Sequence, residues 1–520
     1  MKNKFYNLEN KLSKNYFLIL MSFIIGSIIY KIILFPLEIP IVLDALDYYF
    51  FAIDINISKS IPLDYSPVKV GWPFFLSIIF NFIPSEDPHL FMVIQKISTI
   101  TISSLTAVPI YFLCKIFFSK KLSLIAPIIF IFDPRVSVNS SLGVADPLFV
   151  ILLVMSMVLF LNKKEFFVYL SFLTVGFASV VRPEGLCLFI SMSVMYFIKY
   201  RKAGIKNTKF IICLVVFFIV LLPISIYQEN IHGSDLLFDR LQLTANYHYL
   251  NTESSDKNET GIPFIIRGLE NFPKFLIWGL IPNLIFLAPI GLILSIKKID
   301  FQKFFLIFTG FFLTLPIFYA YSIPLEDTRY LLTLFPILCI WSIFSIKLLY
   351  EKFGIPISIL TFLIICSSVI FIIISVPIEE ELELVQISND ITSNTYVVNK
   401  FYPYTKYFES AQIPKTIKVL KEYVNEREIG ETLRETLPRK EKKIIFSDID
   451  SIEQLIKQTK ENEITHLLIF EDNSSKILSD IYENDKKYSF LKKINYENQY
   501  KKISFKIFLI NYEDFSINYN

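Results

Sequence analysis

The chain has 520 residues, 53% of them hydrophobic and 19% charged, with a mean hydropathy of +0.51 and a net charge of +3. A soluble domain of this size needs about a quarter of its residues charged to cover its surface. The composition therefore excludes a soluble enzyme, a disordered chain and a disulfide-stapled secreted module, and the small net charge gives no reason to expect nucleic acid as a partner.

The average conceals a boundary. From Ile378 to Asn520, 46 of 143 residues are charged, with a net charge of −4, whereas residues 1–377 carry 53 charges in 377 residues and a net of +7. This predicts a polytopic α-helical membrane domain over 1–377, followed by a soluble domain over 378–520.

A membrane crossing needs roughly 20 mostly apolar residues. Candidate segments run over 15–36, 90–114, 122–133, 146–161, 166–181, 185–198, 210–227, 273–296, 304–321, 330–349 and 355–376, or about 11 spans, several of them short. The first is too long for a signal peptide and is followed by no small-residue cleavage site, so it is expected to stay as a helix. Gly71–Pro84 is apolar but only about a dozen residues long, which suits a helix in the interface.

Short loops rich in lysine alternate with longer, less basic ones. Lys2, Lys4, Lys11 and Lys14 begin the basic set, and Lys115, Lys163, Lys199, Lys297 and Lys347 mark its later members. The positive-inside rule places these in the cytoplasm together with the N-terminus. With an odd number of spans, the tail is extracytoplasmic, as are two long loops over 37–89 and 228–272. The glycosylation sequons at Asn56, Asn139, Asn258 and Asn473 fall on the same side. The five cysteines sit in or beside spans, so no outer disulfide is expected.

Ionisable groups at a membrane boundary are costly unless they are paired or functional. In LDALDYYFFAIDI, Asp44 and Asp47 stand at i,i+3 and share a helix face. Such a pair supplies a general base or holds a divalent cation; a plain helix start capped by Asp44 also explains it. DPRVSVNSSLGVADPLF offers Asp133, Arg135 and Asp146, where Asp146 is equally explained as a cap. VVRPEG sets Arg182 and Glu184 between two apolar runs, either as a mutual ion pair or as ligands of a lipid phosphate. His232, Arg240 and His248 lie in the second long loop, and PLEDTRYLLTLFP puts Arg329 at the head of a late span. These groups meet on one predicted side of the membrane, which suits acid–base chemistry on a lipid-phosphate substrate.

These motifs resemble the integral-membrane GT-C class of glycosyltransferases, in particular its protein O-mannosyltransferase and aminoarabinose-transferase branch and archaeal relatives. The resemblance covers the order of features over roughly 15–376. Asp44 and Ala52 keep the class spacing of an acidic residue and an alanine eight positions on. SLGVADPLF is similar to its small-residue turn ending in an acid, ASVVRPEGL to its Arg-Pro-Glu-Gly, and DTRYLLTLFP to its late Arg-Tyr. The class's Glu after the first Asp is Ala45 here, which leaves the choice of base between Asp44 and Asp47 open.

The resemblance implies a hexosyltransferase in the cell membrane. It would move a sugar from a polyprenyl (dolichyl) phosphate donor to a hydroxyl of a protein, glycan or lipid acceptor, with inversion. Asp44, Asp47 and Asp146 would be catalytic, and Arg182, Glu184, Arg329, Arg240 and His232 would hold the donor phosphate. No cofactor is required, although Asp44 and Asp47 suit a divalent cation. Transfer of a whole lipid-linked glycan, as by oligosaccharyltransferases, is one alternative. A transporter or flippase of lipid-linked glycans is another, but the chain shows no repeat of the kind that transporters carry.

The tail should form a small α/β or α+β domain. KIIFSD and ITHLLIFED have strand patterns around a helical DIDSIEQLIKQTKEN, and ISFKIFLINYEDF closes with a strand.

Overall fold

The structure, a computed structural model, describes residues 2–62, 70–200, 206–232, 262–323, 325, 327–392, 396–398, 406–427, 431–434, 436–437, 451–461, 466–471, 476–494 and 503–518. The chain divides into two compact units. One contains Met1–Leu34, Ser66–Phe75 and Lys96–Ser375; the other contains Phe35–Tyr65, Leu76–Gln95 and Val376–Asn520.

The first unit is helical. Its elements are α1 (Lys2–Leu34), the start of α3 (Gly71–Asn81), most of α4 (Pro88–Leu105), α5 (Ala107–Cys114), α6 (Lys120–Ser123), α7 (Ile125–Phe132) and α8 (Pro134–Ser140). There follow α9 (Asp146–Phe160), α10 (Glu165–Val181), α11 (Gly185–Lys199), α12 (Lys206–His232), α13 (Ile262–Leu280), α14 (Leu284–Ile296), α15 (Phe301–Ser322), α16 (Phe335–Phe353) and α17 (Ile357–Ser375). The short helix α2 (Asp44–Ser58) belongs to the second unit.

Among the described residues, five helices are long and apolar enough to cross a membrane: Tyr16–Leu34, Pro88–Cys114, Thr208–Tyr227, Phe301–Ser322 and Ile357–Ser375. Two bent pairs bring the number to seven if each is one span. They are Lys120–Phe132 with Pro134–Ser140, bent by 54°, and Phe264–Leu280 with Leu284–Ile296, bent by 107°. Helices α9, α10 and α11 are apolar but have only 15, 17 and 15 residues, below the roughly 20 of a full crossing.

The first bend has a local cause. A residue before proline avoids the helical region, and Asp133, preceding Pro134, is extended at φ −61°, ψ 135°. Its carboxylate then caps α8, accepting from the N–H groups of Arg135 (2.9 Å) and Val136 (3.2 Å). At the other end of α9, Lys199 donates to the carbonyl of Asn162 at 2.8 Å, the favourable place for a cation beside a helix C-terminus. Asn139, inside α8, is buried, so its sequon is not a surface acceptor in this fold.

Among the described residues, the second unit has a four-stranded sheet of order β1-β2-β4-β3, with β1 (Tyr396–Val398), β2 (His466–Phe470), β3 (Leu491–Ile494) and β4 (Phe505–Ile510). β1 runs parallel to β2 and the remaining pairs are antiparallel. The unbroken apolar run of β2 follows from burial on both faces. Leu467 and Ile469 pack with Leu455, Leu478 and Phe508; Leu468 and Phe470 pack with Leu384, Ile387 and Tyr407. Ile39 and Val42, from ahead of α2, pack against the latter core. The helical stretch expected after Asp450 is Ile452–Glu461. KIIFSD lies outside the described residues.

Candidate functional site

The sequence-predicted residues fall into two groups, one in each unit. In the first unit, Gly143 adopts φ +80°, the left-handed region open to glycine, and its carbonyl accepts from the indole of buried Trp72 at 3.1 Å. This pins the turn that delivers Asp146 as the first residue of α9. Asp146 is not a cap: Ala145 holds that position without a side-chain bond. Its carboxylate is instead turned to Arg182.

Arg182 ends α10. Its N–H still bonds the Ala178 carbonyl at 2.9 Å, but its backbone is extended and the next helix starts at Gly185. A Cβ at Gly185 would sit 2.6 Å from the backbone nitrogen of Ser179, so the Arg-Pro-Glu-Gly junction closes this tightly only with glycine there. The guanidinium joins two carboxylates. Nη1 donates to Asp146 Oδ1, Nη2 to Glu184 Oε1 at 2.6 Å, and Nε to both Glu184 oxygens at 3.2 Å. The Arg182 and Asp146 side chains are 7% and 6% exposed. Charge-assisted bonds of this kind are about twice as strong as neutral ones and fix geometry.

Arg329 stands near this triad. Asp327 accepts from its backbone N–H and holds its Nε, both at 2.8 Å. Tyr330 lies under the Arg329 guanidinium at 5.8 Å and within electrostatic reach of Arg182 as well. Arg135 is held otherwise, over the rings of Trp278 (5.6 Å) and Phe371 (5.5 Å).

In the second unit, α2 begins at Asp44, and its cap position is Leu43 at φ +51° without a side-chain bond. A non-glycine residue there stores strain of about 1–3 kcal/mol. Gln95 donates to the Ala45 carbonyl at 2.8 Å, and Tyr49 to the Pro88 carbonyl at 3.1 Å, which anchors the start of the helix. Two arginines of the tail meet its acidic residues. Arg434 Nη1 donates to Asp47 Oδ1 at 2.6 Å, and its Nε donates to Glu409 at 3.1 Å. Arg427 pairs with Asp54, whose side chain is fully buried. Burial raises the Asp47 pKa above the usual aspartate value; the bond to Arg434 opposes this, while Asp44 and Glu409 add to it.

Arg434, Arg427 and Glu409 were not legible as site residues, since a charged run in a soluble tail reads as solvated surface. His232 is the last residue of α12, and Arg240 and His248 lie outside the described residues. Among the described residues no three of His, Cys, Asp and Glu gather into a group that could hold a metal ion. With a guanidinium already on Asp47, the Asp44–Asp47 pair fits a divalent cation poorly.

The sequence matches no protein-family model and no curated protein. Solved structures do match. ArnT from Cupriavidus metallidurans bound to undecaprenyl phosphate aligns with a TM-score of 0.54 at 10% identity, over 94% of this chain and 97% of that one. The oligosaccharyltransferase AglB from Archaeoglobus fulgidus, in complex with an inhibitory peptide and a dolichol-phosphate, aligns at 0.51 and 10% identity over 95% of this chain and 74% of that one. The same enzyme in complex with Zn and sulfate aligns at 0.50 and 10% identity, over 94% and 73%. These matches show the GT-C fold.

Proposed function

We propose that the chain is a membrane glycosyltransferase. It moves a sugar from a polyprenyl-phosphate donor to an acceptor hydroxyl on the extracytoplasmic face, with inversion. The observation that carries this reading is the buried Asp146–Arg182–Glu184 network, built at a helix junction with Arg329 nearby, within a GT-C fold. The dolichol-phosphate bound to AglB and the undecaprenyl phosphate bound to ArnT support it.

In this scheme the acceptor oxygen attacks the anomeric carbon as Asp44 takes its proton. The bond from that carbon to the phosphate oxygen breaks, the lipid phosphate leaves, and one displacement inverts the centre. Arg329 meets the charge developing on the phosphate. Arg182 has three N–H groups on carboxylates, so its first task is to fix Asp146, which orients the sugar or acceptor. The acid–base roles need no metal, and no step passes through one.

Membranes containing the protein should transfer label from at least one of a panel of polyprenyl-phosphate sugars to an acceptor, releasing polyprenyl phosphate. Label appearing only with a whole lipid-linked glycan would redirect the reading to oligosaccharyl transfer. Lipid translocation across vesicles with no chemical change would overturn it. For the sidedness, a Lys487→Cys variant should react with an impermeant thiol reagent in intact cells; protection there would place the tail in the cytoplasm. Lys487 suits this because its side chain is 63% exposed.

A further inference from the structure

Resting on the transfer reaction above, we propose that Arg135 is a positioning residue: it fixes the end of α13, the helix that backs the segment carrying Arg329. That segment is the 3-10 turn Thr328–Thr333 with Asp327 ahead of it. Asn271, Phe275 and Gly279 stand at i, i+4 and i+8 on one face of α13. Asn271 Nδ2 donates to the Tyr321 carbonyl at 3.1 Å. Phe275 stacks on the Tyr321 ring, with centroids 4.8 Å apart, and the Tyr321 hydroxyl donates to the Asp327 carbonyl at 3.0 Å. Gly279 lies against Leu331, where a Cβ would stand 2.6 Å from Cδ1. One helix face therefore bears on both flanks of Arg329, and Asp327 itself holds the Arg329 Nε at 2.8 Å.

The last carbonyls of a helix lack intrahelical donors, and the residue four beyond Trp278 is Pro282, which has no N–H to give. Arg135 supplies a donor from another helix. Its Nη2 reaches the Trp278 carbonyl at 3.2 Å, and a cation is favoured at a helix C-terminus. The same guanidinium lies 5.6 Å from the Trp278 ring and 5.5 Å from the ring of Phe371 on α17. The other side of the break after α13 is held on α17 as well. Asn283 Nδ2 donates to Ser368 Oγ at 2.8 Å, and Ser367 Oγ donates to Asn283 Oδ1 at 2.7 Å. Ser367, Ser368 and Phe371 share a face of α17 at i, i+3 and i+4 spacings. The bend of 107° is thus pinned before and after the break, and α13 presents Arg329 from a set place.

The test uses the full-length protein in liposomes, with a donor that the wild type turns over. Arg135→Met should lower kcat about tenfold with KM for the donor within about twofold, the signature of misplacement and not of lost donor binding. Arg135→Lys keeps a cation at the end of α13 and should stay within about threefold of wild type. In an Arg329→Met background, Arg135→Met should lower kcat further by less than about twofold, because a residue that acts through Arg329 then has nothing to place. A merely structural role would cost the same in both backgrounds. Such additive losses would overturn the proposal, as would wild-type kcat in Arg135→Met. If Arg135→Met does not fold, Arg135→Gln takes its place in the same cycle. Melting temperatures give a readout independent of transfer: the effects of Arg135→Met and Trp278→Leu should be clearly non-additive, and additivity would sink the contact. A wild type inactive on every donor would count against the transfer reading, while the melting experiment would still decide the contact.

Discussion

Replacing Arg182 by methionine should both weaken the fold and remove transfer. The side chain joins Asp146 and Glu184 in a site almost closed to solvent. Removing it takes the guanidinium from buried Asp146 and part-buried Glu184, and breaking a buried pair costs about 3–5 kcal/mol. The melting temperature should fall by several degrees. Transfer should fall by about two to three orders of magnitude, the scale for losing a preorganised electrostatic group. Combining Arg182→Met with Asp146→Asn and Glu184→Gln removes the stranded charges. That triple variant should regain much of the stability and none of the activity. Recovery of both would mean that the network serves stability alone. Arg182→Lys should also be poor, since one ammonium cannot reproduce a fork bonded to two carboxylates.

Asp44→Asn should be the most damaging isosteric change in the chain. The substitution keeps size and shape but turns the basic carboxylate into a neutral amide, with a donating NH2 in place of one accepting oxygen. General-base catalysis contributes about 10² to 10⁴ in rate, so kcat should fall by that factor with little change in KM. Asp47→Asn, by comparison, should lose about tenfold, through the weakened bond to Arg434. Measured side by side in one membrane preparation, the two variants rank the carboxylates. Equal losses would leave the choice of base between them open, and an active Asp44→Asn would remove the assignment itself.

Much of the first-unit group was visible in sequence because its residues sit at abrupt breaks in apolar runs. Arg182 and Glu184 stand where no loop separates two helices, and the cost of charge there announces them. Their union with Asp146 was not visible, since 36 residues separate the partners and only packing of α9 beside α10 joins them. Capping was a fair expectation for Asp44 and Asp146, yet Leu43 and Ala145 take the cap positions, so both carboxylates are left to other partners. The span count was legible only loosely. Apolar runs interrupted by Asp133 and by Arg182–Glu184 give bent or short helices, and hydropathy alone does not tell these from full crossings. In the tail, apolar runs marked β2 and β4, while β1, β3, Arg427 and Arg434 carried no mark.

The second unit is assembled from pieces made at very different times. Arg427 follows Asp54 by 373 residues. At about 5–20 residues per second, a ribosome needs roughly 20–75 seconds to pass from one to the other. For that interval α2 carries an acidic residue destined for full burial, with its counter-charge not yet made. A nascent chain cut short between Ser375 and Arg427 therefore has its apolar helices but an unfinished acidic helix. The arrival of the tail, and not of the last apolar helix, completes the surroundings of α2.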